Sequence, residues 1–109
     1  MMEILPERLS VFQVQNGEKF SHYLALSDIR YQKITGRCIA CKVHISPQNE
    51  FSELLIPLEE LSMFADPTSI HTIDVNDICN LVGAVTSSEL IRVLQVLFPL
   101  LGSEAIFQK

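Results

Sequence analysis

The residues Cys38, Cys41 and His44 follow one another at intervals of three, a spacing that at first sight suggests a metal site. A zinc knuckle needs a tight turn that directs both sulfurs to one point. This segment instead alternates apolar and polar side chains like a β-strand, in which residues three apart face opposite sides. We therefore expect Cys41 to be a small core residue and Cys38 to lie near a turn, with no metal bound.

Histidine is the side chain best suited to proton transfer near neutral pH, and the chain has three: His22, His44 and His71. All three fall in predicted strands, without a nucleophile or carboxylate at the spacing of a known catalytic motif. The sequence also lacks a phosphate-binding glycine loop, a nucleophile elbow and a calcium loop. The pattern favours partly exposed strand residues, and it predicts no cofactor.

Composition limits the class of protein. The chain has 109 residues, with 8 Lys+Arg against 13 Asp+Glu and a net charge of −5. This length predicts one domain over residues 1–109, with a folded part to residue 102 and a tail at 103–109. We expect no transmembrane helix and no secretion signal, and the odd cysteine count predicts a reduced, cytoplasmic compartment. The acidic balance disfavours nucleic acid as a partner, because phosphate neutralisation supplies most of its affinity.

The first half of the chain predicts strands. Residues 9–14 and 20–26 flank the turn dipeptide Asn16-Gly17 and should form a hairpin. Residues 38–45 alternate, with Lys42 and His44 on the polar face. Residues 51–58 predict a short strand, in which a proline indicates an end or a sheet edge.

The second half predicts strands followed by helices. A turn at 65–68 precedes a strand at 69–73, and Asp74 should cap a short helix over 75–81 that ends at Gly83. Thr86 and Glu89 form a capping-box pattern that opens the most strongly amphipathic helix. Its core stripe consists of Leu90, Leu94, Leu97 and Leu101, widened by Ile91 and Phe98, and Pro99 should kink or end it. This order of elements indicates an α+β fold, a small curled antiparallel sheet or barrel with a helix packed on it.

The C-terminal third resembles the end of PemK/MazF-type toxins. The similarity consists of Ile-His-Thr-Ile-Asp at 70–74, Leu-Val-Gly at 81–83, Glu-Leu at 89–90 and the leucine-rich end at 97–102. Ser-Asp-Ile at 27–29 and Gly-Arg at 36–37 are similar to the related CcdB toxins. The resemblance implies a small SH3-like antiparallel β-barrel with a short helix and a C-terminal amphipathic helix. It also implies a homodimer, an antitoxin-like protein partner and an endoribonuclease acting on single-stranded RNA.

Several positions depart from the toxin pattern. Arg37 is followed by cysteine instead of proline, Glu59 stands where a hydroxyl residue is typical, and His71 replaces the arginine of the motif. Cleavage through a ribose 2′-hydroxyl needs a base and a cation. The hypothesis is that Arg37 supplies the cation and that Glu59 or His71 supplies the base. The alternative is a non-catalytic, CcdB-like binding module of the same fold, although the terminal tryptophan of CcdB is missing.

Overall fold

The computed structural model describes residues 5–46 and 52–100, which form one antiparallel sheet and two α-helices. The strands are β1 (Ser10–Asn16), β2 (Lys19–Ala25), β3 (Arg37–His44), β4 (Ile56–Leu58), β5 (Met63–Asp74) and β6 (Ile78–Ala84). The helices are α1 (Ile29–Thr35) and α2 (Ser87–Leu100), with 3-10 turns at Ser52–Leu54 and Val75–Asp77. The strand order is β4-β5-β3-β2-β1-β6. The predicted α+β class is confirmed, with six strands instead of five.

The first hairpin forms where the sequence predicts it. Strand β1 pairs antiparallel with β2 up to Asn16 and Lys19, and Gly17 takes a φ of 66° in the turn. That left-handed conformation is inexpensive only for glycine or asparagine, which is why the dipeptide is a reliable signal. The next segment differs from expectation because it contains the seven-residue helix α1. Asp28 caps this helix by accepting a hydrogen bond from the Arg30 amide at 2.7 Å.

Strand β5 replaces a predicted turn and a predicted short strand. Its pairing with β3 shifts between Cys41 and Lys42, so residues 67–69 of β5 are additional to the ladder and form a bulge. The Asp66 carboxylate accepts hydrogen bonds from the amide and the hydroxyl of Thr68. The turn-forming residues thus act locally, but strand pairing resumes on both sides of them. The predicted chain reversal at 65–68 is wrong.

Residues 78–84 form strand β6 and not the end of a helix, so that prediction is also wrong. Asp74 caps its segment as expected, accepting from the Asn76 amide at 2.9 Å. The capped segment stops after one 3-10 turn at Val75–Asp77, and the following residues pair with β1. The open edge of β1 provides hydrogen-bond partners that a short isolated helix cannot match, so sheet pairing outweighs the capping signal.

The two faces of the sheet carry separate hydrophobic clusters. The helix-side core lies under α2 and consists of Val11, Leu24, Leu26, Cys41, Val43, Ile56, Leu58, Ala65, Val85, Leu90, Val93 and Leu97. The far-side core consists of Phe12, Val14, Tyr23, Ala25, Cys38, Ala40, Val75 and Ile78. Neighbouring residues of one strand alternate between the two clusters, as the pleat of a β-strand requires.

Helix α2 begins with the predicted capping box. The Glu89 amide donates to the Thr86 hydroxyl at 3.1 Å, and the Glu89 carboxylate accepts from the Thr86 amide at 2.9 Å. Leu90 and Leu97 are buried in the helix-side core, whereas the flanking side chains Ile91 and Phe98 are half-exposed. Leu101, Gly102 and the predicted tail 103–109 lie outside the described residues. Pro99 lies inside the last turn of the helix, and over the described ranges no helix is long and apolar enough to cross a bilayer.

Candidate functional site

Arg37 and His71 lie on adjacent strands but on opposite faces of the sheet. Arg37 begins β3, is exposed, and pairs with Asp74 across the ladder. His71, on β5, pairs with Ala40. Positions 37 and 40 are three residues apart in a regular part of β3, so their side chains alternate to opposite sides. Arg37 therefore points to the helix side and His71 to the far side.

Glu59 lies in a third location, in the exposed turn between β4 and β5. Its backbone amide donates a hydrogen bond to the Glu89 carboxylate at 3.0 Å, which ties this turn to the start of α2. His71 is eight residues along β5 from Met63, the first residue of that strand. The structure thus positions the three predicted site residues separately within the chain.

His71 belongs instead to a group of polar side chains on the far-side face. This far-side polar row consists of Lys42, His44, Asp66, Thr68, Ser69 and His71. The His44 Nε2 lies 3.0 Å from the Asp66 Oδ2, and the His71 Nε2 lies 2.9 Å from the Ser69 hydroxyl. The sequence correctly predicts that Lys42 and His44 share a face. It does not reveal Asp66 as their neighbour, because that depends on the register of β5 and its bulge.

The aromatic ring of Tyr23 lies between members of the row. The Lys42 Nζ is 5.3 Å from the centroid of this ring, and the His71 ring meets it edge-on at 5.3 Å. Phe12 stacks on Tyr23 with a centroid separation of 5.8 Å. A cation and an imidazole are thus held against the same buried aromatic ring, whose position the far-side core fixes.

The carboxyl group of Asp66 is ionised at neutral pH. Its burial acts to raise the pKa, but hydrogen bonds from Thr68 and His44 outweigh that effect and hold the pKa of Asp66 below its usual range. His22 lies outside the row. Burial, and to a smaller extent the charge of Lys42, lowers the pKa of His22. The Nε2 atom of His22 lies 3.1 Å from the side-chain amide nitrogen of Gln13. His22 is therefore a structural residue held in its neutral form.

The two cysteines of the apparent metal motif do not converge. Cys38 lies in the far-side core and Cys41 in the helix-side core, as strand alternation predicts. Burial raises the pKa of both thiols, that of Cys41 to about 12. A metal-binding thiolate is disfavoured in such surroundings.

A second concave feature, the α2 groove, lies between the C-terminal half of α2 and the helix-side face. Its volume is about 280 Å³. Its lining is mostly apolar and consists of Arg8, Leu26, Ser27, Ile39, Ile70, Leu94, Leu97 and Phe98. The Arg8 Nε donates to the Leu26 carbonyl at 3.1 Å, which fixes one cation at the groove. The arrangement suits an apolar group that carries a negative charge.

Comparison with known proteins identifies the fold. No family model and no curated protein matches the sequence. A MazE–MazF crystal structure from Deinococcus radiodurans superimposes with a TM-score of 0.80 at 20% identity, covering 92% of this chain and 98% of that one. MazF alone from the same organism gives 0.76 at 20% identity, covering 92% and 99%. A mycobacterial endoribonuclease in complex with its cognate antitoxin gives 0.74 at 18% identity, covering 90% and 94%.

The α+β sheet with its C-terminal helix is therefore a fold shared with these structures. Its fold is that of MazF, and the likeness extends over nearly the whole chain. The resemblance of residues 70–102 to PemK/MazF-type toxins is thus confirmed as a divergent one, at the level of fold.

Proposed function

We propose that this chain is the toxin-like module of a toxin–antitoxin system and that it inhibits growth by cleaving single-stranded RNA. The likeness of its fold to MazF over at least 90% of both chains carries this proposal. One of the similar structures is an endoribonuclease in complex with its cognate antitoxin. We accordingly propose an antitoxin-like protein as partner, a homodimer as the working unit, the cytoplasm as the compartment, and no cofactor. Residues 1–109 act as one domain, with the sheet curled into an SH3-like barrel.

The proposed reaction is attack of a ribose 2′-hydroxyl on the adjacent phosphate, which needs a base and a cation. His71 is the proposed base because its imidazole is exposed within the far-side polar row. Arg37 is exposed on the helix side and is proposed to bind the RNA backbone away from the reacting phosphate. Glu59, exposed in the β4–β5 turn, is the alternative base.

Cleavage of a mixed-sequence RNA by the purified chain tests this function. We expect the wild type to cleave and His71→Gln to be roughly 100-fold slower, since a positioned base contributes about 10²–10⁴. Arg37→Ala should weaken binding, seen as a higher KM, and Glu59→Gln should slow the reaction if Glu59 is the base. Glu60→Gln, in the same exposed turn, is the matched control and should cleave at the wild-type rate. Absence of cleavage by the wild type would overturn the enzymatic function.

A second candidate function is the non-catalytic binding module. The α2 groove favours it, because a mostly apolar lining with one fixed cation suits a segment of a protein partner. The separation of Arg37, Glu59 and His71 within one protomer favours it as well.

Expression in cells distinguishes the two functions. Growth arrest by the wild type that is lost in His71→Gln supports an enzyme, whereas arrest by both without RNA cleavage supports a binding module. Co-purification with the product of a short reading frame directly upstream would support the antitoxin partner. A strictly monomeric chain that recovers no partner would count against the binding module.

A further inference from the structure

We propose that the scissile phosphate of RNA binds over Lys42 on the far-side face, with the imidazoles of His71 and His44 on either side. The inference rests on the ribonuclease function proposed above and assigns it different reacting groups. Only His71 is common to this set and to the three residues expected from the sequence.

The strand register places the groups in one row. His71 is paired with Ala40 across the β3–β5 ladder. Lys42, two residues further along β3, is paired with Asp66, and His44 lies two residues beyond that. Residues two apart on a strand share a face, and positions 40 to 44 span about 13 Å. Lys42 therefore lies between the strand positions of the two histidines, and this is where the scissile phosphate would bind.

The row is held in place by its surroundings. Tyr23 contacts both Lys42 and His71, and Tyr23 is only 7% exposed. The His44 side chain is 19% exposed and that of Asp66 is 10% exposed, so their pair is fixed at one end of the row. His71 is exposed at the other end. Groups that are fixed yet open to solvent on one side are suited to bind and orient a polymer substrate.

The two imidazoles have different partners, and the partners assign their roles. The His44 Nε2 lies 3.0 Å from the Asp66 carboxylate, so a negatively charged group holds this ring in place. His71 faces the neutral hydroxyl of Ser69, and no carboxylate is within hydrogen-bond distance among the described residues. We therefore assign His44 as the general acid and His71 as the general base.

The reaction then balances without a further reagent. Neutral His71 accepts the proton of the ribose 2′-hydroxyl as its oxygen attacks the phosphorus atom. The bond from phosphorus to the 5′-oxygen breaks, and the His44 imidazolium donates its proton to that leaving oxygen. Lys42 stabilises the negative charge that develops on the non-bridging oxygens. The products are a 2′,3′-cyclic phosphate and a free 5′-hydroxyl, and proton exchange with water restores both imidazoles.

Rates and product ends test the assignment together. With a mixed-sequence RNA, we expect wild-type products with cyclic phosphate and 5′-hydroxyl ends. His44→Gln and Lys42→Gln should each be slower by roughly 100-fold, in kcat more than in KM. Lys33→Gln is the matched control, because Lys33 is an exposed lysine on α1, and it should cleave at the wild-type rate. An RNA whose 5′-leaving oxygen is replaced by sulfur needs no acid, so it should restore the rate of His44→Gln but not that of Lys42→Gln.

Each result decides one claim. If the wild type cleaves while His44→Gln and Lys42→Gln retain its rate, the row is not the site, although the ribonuclease function stands. Products with 5′-phosphate ends would also overturn the mechanism. If the wild type cleaves no RNA, both the function and this inference fall. His44→Asn and Lys42→Met serve in place of any variant whose circular dichroism shows that it has not folded.

Discussion

The three histidines of this chain show how surroundings decide what one residue type does. His22 is buried beside Gln13, His44 is paired with Asp66, and His71 is exposed beside Ser69. Only the last two have both a proton-transfer partner and access to a substrate on the far-side face. The sequence places all three in strands but does not separate these environments, because they depend on which residues face them from neighbouring strands.

We expect acidification to reduce stability through His22. Burial and the charge of Lys42 lower the pKa of His22 in the folded state below its usual value of 6.5. The unfolded chain therefore binds the proton more readily, so the contribution of His22 is complete above pH 6.5 and is lost as pH falls through the folded-state pKa. The urea concentration at the midpoint of unfolding should fall as the pH is lowered from 7.5 to 5. His22→Gln should make the decline shallower, and an unchanged slope would contradict the assignment.

Thiol reactivity should differ among the three cysteines. Cys79 is exposed, whereas Cys38 and Cys41 are buried and burial raises the pKa of both. A thiol reagent such as DTNB should therefore modify one cysteine of the folded chain rapidly and the other two only after denaturation. Cys79→Ser should abolish the rapid phase. Rapid modification of more than one thiol would show that the cores are open.

At the scale of elements, turn and capping residues predict the structure correctly where one short segment satisfies its own hydrogen bonds. The Asn16-Gly17 hairpin and the capping box of α2 are of this kind. They fail at β5 and β6, where pairing with distant strands outweighs the turn and capping signals of residues 65–68 and 74–77. The hairpin, the alternation of β3 and the C-terminal helix could be predicted from the sequence. The bulge of β5 and the pairing of β6 could not, because they are tertiary features.

Glu89 should stabilise more than its own helix. Its carboxylate accepts hydrogen bonds from the amides of Thr86 and Glu59, which joins α2 to the β4–β5 turn. We expect Glu89→Ala to lower the free energy of unfolding by about 1–2 kcal/mol, the upper end of the range for a lost cap. Urea denaturation measures this effect. Glu60→Ala, an exposed residue of the same turn, should change stability by less than about 0.5 kcal/mol.

Gly36 is the second point at which an element depends on one residue. It ends α1 with a φ of 72°, and its amide donates to the Gln32 carbonyl at 2.8 Å. Nothing lies within 4 Å of the position that a Cβ atom would occupy, so the cost of a side chain is conformational. Gly36→Ala should therefore destabilise the chain by about 1 kcal/mol in thermal unfolding. An equal effect of Lys33→Ala would contradict this explanation.

The whole molecule has a net charge of −5, which limits how it can bind RNA. With few cations available for phosphates, affinity should depend weakly on salt compared with that of basic RNA-binding proteins. Lys42 then has particular importance, because it lies within the proposed site. A steep fall in RNA affinity between 50 and 200 mM salt, measured by fluorescence anisotropy, would contradict this expectation. Lys42→Gln should reduce the slope of log affinity against log salt concentration by about one, the amount expected for the loss of one phosphate contact.

The bulge of β5 has one more consequence. Residues 67–69 are additional to the ladder, and pairing is regular on both sides of them. An insertion or deletion in this bulge leaves the strand pairing on both sides unchanged. It adds or removes side chains beside the histidines, such as the hydroxyls of Thr68 and Ser69. Related chains can thus diversify the chemistry of this surface through small insertions and deletions while they keep a common framework.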